Sequence, residues 1–208
     1  MTQQYVWYVS YGSNLLRERF DCYIKGGTPP GSTQEERGCR EGHRTPPRDD
    51  REVSIPYQLY FAKEQSKWGK GGVAFIGHTE MTHSPTIGRM YLITKEQFED
   101  VVAQENGVAN LSIDLGQMIC QKKVRLNGSW YGTVVYLGDT DGHPKCTFTA
   151  NEDPCGTLNA PAKSYLKIIF RGLRQLNKTA QEAAYYLVKV PGANQQYTVE
   201  TIQDLDSC

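Results

Sequence analysis

Nowhere does the chain hold an apolar run approaching the ~20 residues that cross a bilayer, so no membrane partner is expected. Neither sign of charge is in surplus, with 23 Lys and Arg against 23 Asp and Glu. Without a basic excess there is no electrostatic footprint for a polyanion, so no nucleic-acid partner is expected. Six cysteines (Cys22, Cys39, Cys120, Cys146, Cys155 and Cys208) are scattered without a CxxC pair, which argues for reduced thiols rather than a disulfide framework. Cys39 and His43 resemble half of a zinc site, but no second half follows at ligand spacing, and no metal or cofactor is expected. No internal repeat or heptad pattern is present. The start, "MTQQYVWYVS", lacks the basic region of a secretion signal, and the expected location is cytoplasmic.

What is there has an ordinary globular composition, 22% charged and 38% hydrophobic over 208 residues, and a single domain over 1–208 is expected. Residues 4–10 alternate and are rich in Tyr, Val and Trp, the pattern of a strand. Leu16, Phe20, Tyr23 and Ile24 follow at helical spacing. The stretch 25–52, "KGGTPPGSTQEERGCREGHRTPPRDDRE", is Gly, Pro and charge and predicts a long loop insertion. Strand-like runs lie near 53–62, 72–77, 87–93, 115–124 and 129–138, the last two joined by the hairpin signal Asn127-Gly128. Helices are predicted at 95–105, opened by a Thr94/Gln97 capping box, at 161–176, and from Thr179 with Glu182. This order predicts an α+β fold: a mixed, mainly antiparallel sheet curled into a small barrel with flanking helices.

Within the helix at 95–105, stepping about 100° per residue puts Val101, Val102 and Glu105 within roughly 60° of Phe98. Glu96, Glu99 and Asp100 fall on the outer side. Glu105 is thus expected in the middle of the apolar stripe, at the negative end of the helix dipole, where both surroundings favour its protonated form. A carboxylate so placed is a candidate proton carrier. The alternative is a frayed last turn, with Glu105 in water.

Near the amino end, "YVWYVSYGSNLLRERF" (5–20) passes from strand to helix through Tyr11-Gly12-Ser13-Asn14. Gly12 permits close backbone approach or a positive φ, and Ser13 or Asn14 can cap the helix that follows. Amides at a helix start favour an anion or a developing oxyanion, although a plain cap needs the same residues.

Tyr11-Gly12-Ser13-Asn14-Leu15 after a first strand resembles the signature loop of the γ-glutamylcyclotransferase-like family. "GGVAFI" (71–76) resembles that family's glycine-led strand. "GRMYLITKEQFEDVVAQENGV" (88–108) resembles its strand–helix unit, whose catalytic glutamate falls on Glu105. "SYLKIIFRGL" (164–173) resembles its late helix, with the substrate-facing tyrosine at Tyr165. The likeness covers most of 5–175. Two features depart from it: the 25–52 insertion, and the absence from "NGVANLSIDLG" of the aromatic residue usual soon after the glutamate.

The resemblance implies an acyltransferase- or lyase-type enzyme of glutathione metabolism acting on a small-molecule γ-glutamyl substrate. The substrate's α-amine attacks its own γ-carbonyl, and 5-oxoproline is released. No metal or cofactor is implied, because the nucleophile is tethered to its target. Glu105 would be the general base and acid. Tyr8, Val9, Ser10, Tyr11, Gly12, Ser13, Asn14 and Tyr165 would bind substrate, the loop amides holding either the γ-oxygen or the α-carboxylate. A non-catalytic binder of γ-glutamyl or amino-acid-like ligands on the same fold is the first alternative. A serine hydrolase using Ser13 is the second, although "YGSNL" is not GxSxG and His43, His78, His83 and His143 lie in no partner motif. The acceptor amine and the oligomeric state, homodimer included, stay open.

Overall fold

The computed structural model describes residues 3–206 apart from 31, 33, 82, 84, 127–129 and 155. The first half of the chain runs β1 (Tyr5–Ser10), a 3-10 turn (Ser13–Leu15), α1 (Arg17–Lys25), β2 (Asp50–Ile55), β3 (Tyr57–Ala62), β4 (Gln65–Ser66), β5 (Gly69–Lys70) and β6 (Val73–Glu80). Then come β7 (Thr86–Thr94), α2 (Lys95–Glu105), α3 (Leu115–Gln121), β8 (Lys123–Arg125), β9 (Thr133–Thr140) and β10 (His143–Thr149). The last part is helical, with α4 (Lys163–Gln175), α5 (Ala180–Val188) and α6 (Val199–Gln203). The chain divides into two compact units: residues 1–10, 18–53 and 88–151 form the first, and 11–17, 54–87 and 152–208 the second.

The first unit carries a six-stranded mixed sheet in the order β2-β7-β1-β10-β9-β8. β1, made of β-branched and aromatic residues, lies inside it, antiparallel to β7 and parallel to β10. The α+β class and mixed sheet expected from the sequence are what the chain adopts. Its core packs α1 and α2 on the sheet through Tyr8, Phe20, Tyr91, Phe98, Val101, Val102 and Phe148. Phe20 and Tyr91 stack at 4.0 Å.

α2 is bounded as its sequence requires. Thr94 Oγ1 accepts from the Gln97 amide at 3.1 Å, and Gln97 Oε1 accepts from the Thr94 amide at 2.9 Å. At the other end Gly107 takes φ +64°, its N–H reaches Gln104 O, and the Val108 N–H reaches Ala103 O. This Schellman closure makes Glu105 the last regular residue of the helix.

Several local expectations needed correction. The run at 53–62 is two strands in different sheets, because Pro56 ends the first. The region 115–124 is mostly helix: Asp114 accepts from the Gln117 amide at 3.0 Å and caps α3. β10 had no counterpart in the sequence reading, since Pro144 interrupts its pattern and sits at a register shift against β9. β8 and β9 pair antiparallel, while the Asn127-Gly128 turn between them lies outside the described residues.

The wheel's assignment of acids on α2 is inverted. Glu99 and Asp100 are 6% and 2% exposed, whereas Glu105 is only half-buried. The outer face of the helix is covered by other parts of the unit. Glu99 accepts from the Ile113 amide at 2.8 Å and pairs with Lys95 at 2.6 Å. Asp100 receives Arg40 Nε at 2.6 Å and the Arg40 amide at 3.1 Å, with His43 Nδ1 at 3.0 Å. Gln97 Nε2 donates to the carbonyls of His43 and Thr45, both at 2.7 Å. Within the 25–52 segment, residues 40–45 are therefore bonded along α2. Removing these bonds in Asp100→Ala should lower unfolding stability by roughly 2 kcal/mol, kept moderate because Arg40 and His43 reach water; urea denaturation measures it.

The second unit holds the antiparallel pair β3–β6, the small pair β4–β5, and helices α4 to α6. The Thr179/Glu182 capping box opens α5 as predicted.

Burial holds several acidic protons in place. Desolvation, with neighbouring Asp100 adding to it, raises the Cys39 thiol to about 12, and desolvation beside Glu80 raises the Tyr57 phenol to about 12. Desolvation likewise pushes Cys146 and Tyr186 upward. Each group keeps its proton in the folded chain after the unfolded chain has released it, so the stability involved is intact below about pH 9 and lost as pH rises beyond it. Past its unfolded pKa each group adds a slope of about 1.4 kcal/mol per pH unit. Unfolding free energies measured between pH 8 and 12 should fall progressively, and less steeply in Cys39→Ala.

Candidate functional site

In the second unit the Tyr11–Asn14 loop rests on α4. The Ser13–Leu15 turn closes through Leu15 N–H to Gly12 O at 3.0 Å and Leu16 N–H to Ser13 O at 3.2 Å. The amides of Gly12 and Ser13 precede the first bond of the turn. Gly12 occupies the cap position with φ −111° and no side-chain cap bond. The positive φ that a glycine permits is therefore not used at Gly12. Space is what favours a glycine: a Cβ there would lie 3.0 Å from the Tyr165 hydroxyl and 3.4 Å from Ala74 Cβ, a tight fit. Two turns further along α4, a Cβ on Gly172 would meet Leu15 Cβ at 2.5 Å and the Leu16 nitrogen at 2.7 Å. Two contacts on one helical face thus fix the loop.

Tyr165, placed in the substrate pocket by the resemblance, is 3% exposed, and its hydroxyl accepts from the Ala74 amide at 3.3 Å. Its ring lies against Trp68 at 5.3 Å and Phe61 at 6.3 Å. Trp68 is a residue that no local sequence pattern singles out. The β4–β5 turn and the bond from Ser164 Oγ to Trp68 O at 3.4 Å carry it to the start of α4. Tyr11, Gly12, Ser13, Asn14 and Tyr165 all belong to this unit.

Tyr8, Val9, Ser10 and Glu105 belong to the first unit. The Tyr8 ring is part of the aromatic core, 5.3 Å from Phe20 and 5.6 Å from Phe148. Val9 is buried and its carbonyl accepts from Thr147 Oγ1 at 2.7 Å. Ser10, also buried, ends β1 opposite Arg89.

Around Glu105 the expected apolar recess is replaced by polar partners from α1. The Glu105 carboxylate stands near the Tyr23 hydroxyl. Arg19 Nη2 donates to the Tyr23 oxygen at 3.2 Å and to Glu36 Oε1 at 3.0 Å. The Arg19 side chain is 0% exposed. Desolvation, and after it the Glu105 charge, holds the Tyr23 phenol well above its usual range. Arg19 was also missed, although the sequence carried a signal: it stands four residues before Tyr23, on the apolar face of α1.

The four histidines separate as follows. His43 bonds Asp100, the His143 ring meets Tyr5 at 6.0 Å, and the His78 amide donates to Asp153 at 2.6 Å, while His83 is exposed. Among the described residues no group of three or more His, Cys, Asp or Glu is disposed to hold a metal ion, and Cys22, Cys39, Cys120 and Cys146 are free thiols. Among them, too, no helix is long and apolar enough to cross a membrane.

Comparison with known proteins supports the fold. A solved structure described as a gamma-glutamyl cyclotransferase matches 99% of this chain and 100% of its own, with TM-score 0.52 and 17% identity. The crystal structure of an uncharacterized Homo sapiens protein, loc79017, matches with the same figures. The chain therefore has the fold of these proteins. In sequence it is 37% identical over 196 residues to Histone deacetylase 5 of Arabidopsis thaliana, a stretch covering 86% of this chain and 29% of that protein. No family model matches the chain.

If the loop is held sterically, Gly12→Ala should displace the Tyr165 hydroxyl and cost roughly 1–2 kcal/mol, and Gly172→Ala, pressed against backbone atoms, should cost more. In a double-mutant cycle Tyr165→Phe should recover part of the Gly12→Ala loss. Additive effects would show that the two residues are uncoupled.

Proposed function

We propose that the chain is a γ-glutamylcyclotransferase-type enzyme, releasing 5-oxoproline from a γ-glutamyl amino acid, peptide or amine. The observation that carries the reading is the fold match to a gamma-glutamyl cyclotransferase over 99% of the chain, in a sequence that keeps the Tyr11–Leu15 loop and Glu105 in family order. The deacetylase name of the Arabidopsis relative does not enter, because the chain spans 29% of that protein.

In this reading the α-amine of the substrate forms a bond to the carbonyl carbon of its own γ-amide as Glu105 takes the proton from that amine. The γ-carbonyl oxygen becomes an oxyanion. It then collapses, the bond to the attached amine breaks, and Glu105 returns the proton to the leaving nitrogen. The enzyme ends as it began, and no electrons change hands. The Gly12 and Ser13 amides are assigned to the γ-oxygen or the α-carboxylate. Donors in oxyanion holes lower such barriers by roughly 2.7–4 kcal/mol each. Tyr8, Val9, Ser10, Tyr11, Asn14 and Tyr165 complete the proposed substrate set. For Tyr8 and Val9 the contribution is that of buried strand residues that precede the loop in sequence, since their side chains are packed in the core.

Incubation with a panel of γ-glutamyl donors should release 5-oxoproline, detected by mass spectrometry, and Glu105→Gln should reduce turnover at least 100-fold, at the lower end of a general base's contribution. Binding without turnover in wild type would favour the binding-protein alternative. Loss of all activity in Ser13→Ala together with survival in Glu105→Gln would favour the hydrolase.

A further inference from the structure

Residues 43–50, "HRTPPRDD", set two prolines between Thr45 and Arg48. Each proline fixes its own φ, which stiffens the backbone between those two side chains. Two bonds then seat the following residues along β7: Arg48 N–H to Leu92 O and Leu92 N–H to Asp49 O, both 2.9 Å. The Arg48 guanidinium lies over the Tyr5 ring, 4.1 Å from its centroid, and the Tyr5 hydroxyl donates to Gln3 Oε1 at 3.0 Å. His43 Nδ1 is held 3.0 Å from Asp100 Oδ2, and Thr45 Oγ1 accepts a long bond from Gln97 Nε2 at 3.4 Å. Tyr5, His43, Thr45, Arg48 and Gln97 all line one cavity of about 250 Å³ in the first unit, at the end of β1 away from Ser10.

The charge on this wall is one-sided. Arg48 is a permanent cation, and no Asp or Glu is among the described residues that line the cavity. The neighbouring acids are engaged elsewhere, Asp49 with Arg51 at 2.7 Å and Asp50 with Arg89 at 3.0 Å, and Arg48 has no ion pair among the described residues. A ring offers a guanidinium no oxygen, so the N–H fork of Arg48 is left to meet two oxygens of a carboxylate or phosphate. Thr45, accepting from Gln97, keeps its hydroxyl proton to donate. The start of α2 is not the donor: the Thr94 and Gln97 amides close the capping box, and the Lys95 amide goes to Gln4 O at 3.0 Å. From this geometry we infer that the cavity at the Tyr5 end of β1 binds a small oxyanion, a carboxylate or a phosphate, through the Arg48 fork and the Thr45 hydroxyl. Its volume lies below the ~300–1,000 Å³ of pockets that enclose drug-sized ligands, which limits the occupant to a free ion or a short acid. The site uses neither Glu105 nor the Tyr11–Asn14 loop, so it stands or falls apart from the proposed turnover.

The test titrates inorganic phosphate and acetate, separately, into the full ¹⁵N-labelled chain at constant ionic strength, with chloride as the control. The Thr45, Arg48 and Leu92 amide resonances should shift saturably with at least one oxyanion and not with chloride. Tighter acetate marks a carboxylate site and tighter phosphate a phosphate site; either upholds the inference. Arg48→Gln should weaken the apparent affinity roughly fivefold or more, and Thr45→Val should weaken it by less. No saturable shift with either oxyanion, an equal response to chloride, or an affinity unchanged in Arg48→Gln would overturn the inference. Should Arg48→Gln fold poorly by circular dichroism, Arg48→Lys is the second variant. It keeps the charge and loses the fork, so the affinity should fall at least about twofold; an affinity equal to wild type there would equally overturn the inference.

Discussion

A guanidinium does not give up its proton, so Arg19, walled off from water in the first unit, must find acceptors or be too costly to bury. It finds Glu36 and Tyr23. The need to satisfy that one charge explains why a segment rich in glycine, proline and charge is not left to wander. Its Glu36 is held by the bridge to Gly27, and the chain beyond it returns to α2 with Arg40 and His43 on Asp100. A cation offered by α1 and an anion offered by α2 are each answered from the same stretch. What a composition-based reading treats as an insertion is the electrostatic complement of two helices.

The second unit is governed by space rather than charge. The loop Tyr11–Asn14 can lie on α4 only because residues 12 and 172 have no side chains, and Tyr165 fills the interval between those contacts while bonding the Ala74 amide. Close packing of this kind leaves little latitude to the loop's backbone. Trp68, brought to the Tyr165 ring by a hairpin of four strand residues, extends the same aromatic surface.

Much of this was legible beforehand wherever a rule is local. Both capping boxes and the strand of β1 are written in stretches of a few residues, and each formed where it was expected. The misreadings share one cause. A helical wheel reports what a helix offers and nothing of what arrives to cover it, so Glu99 and Asp100, assigned to solvent, lie under residues 40–45 and 112–113. Glu105 meanwhile met a phenol and an arginine where an apolar recess was expected. Asp114 and Gln117 marked the start of α3 as clearly as Thr94 and Gln97 marked α2, but the β-rich pattern around them pointed the other way.

The sequence alone therefore determined the elements whose periodicity and caps are self-contained, the mixed α+β class they imply, and the order of the landmarks that resemble a cyclotransferase. Tertiary structure decided the rest, because burial belongs to pairs of surfaces and not to single residues. Only there does Gly12 become a matter of clearance from a tyrosine hydroxyl, Asp100 a buried partner of Arg40, and Arg19 the hidden charge that an inserted loop answers.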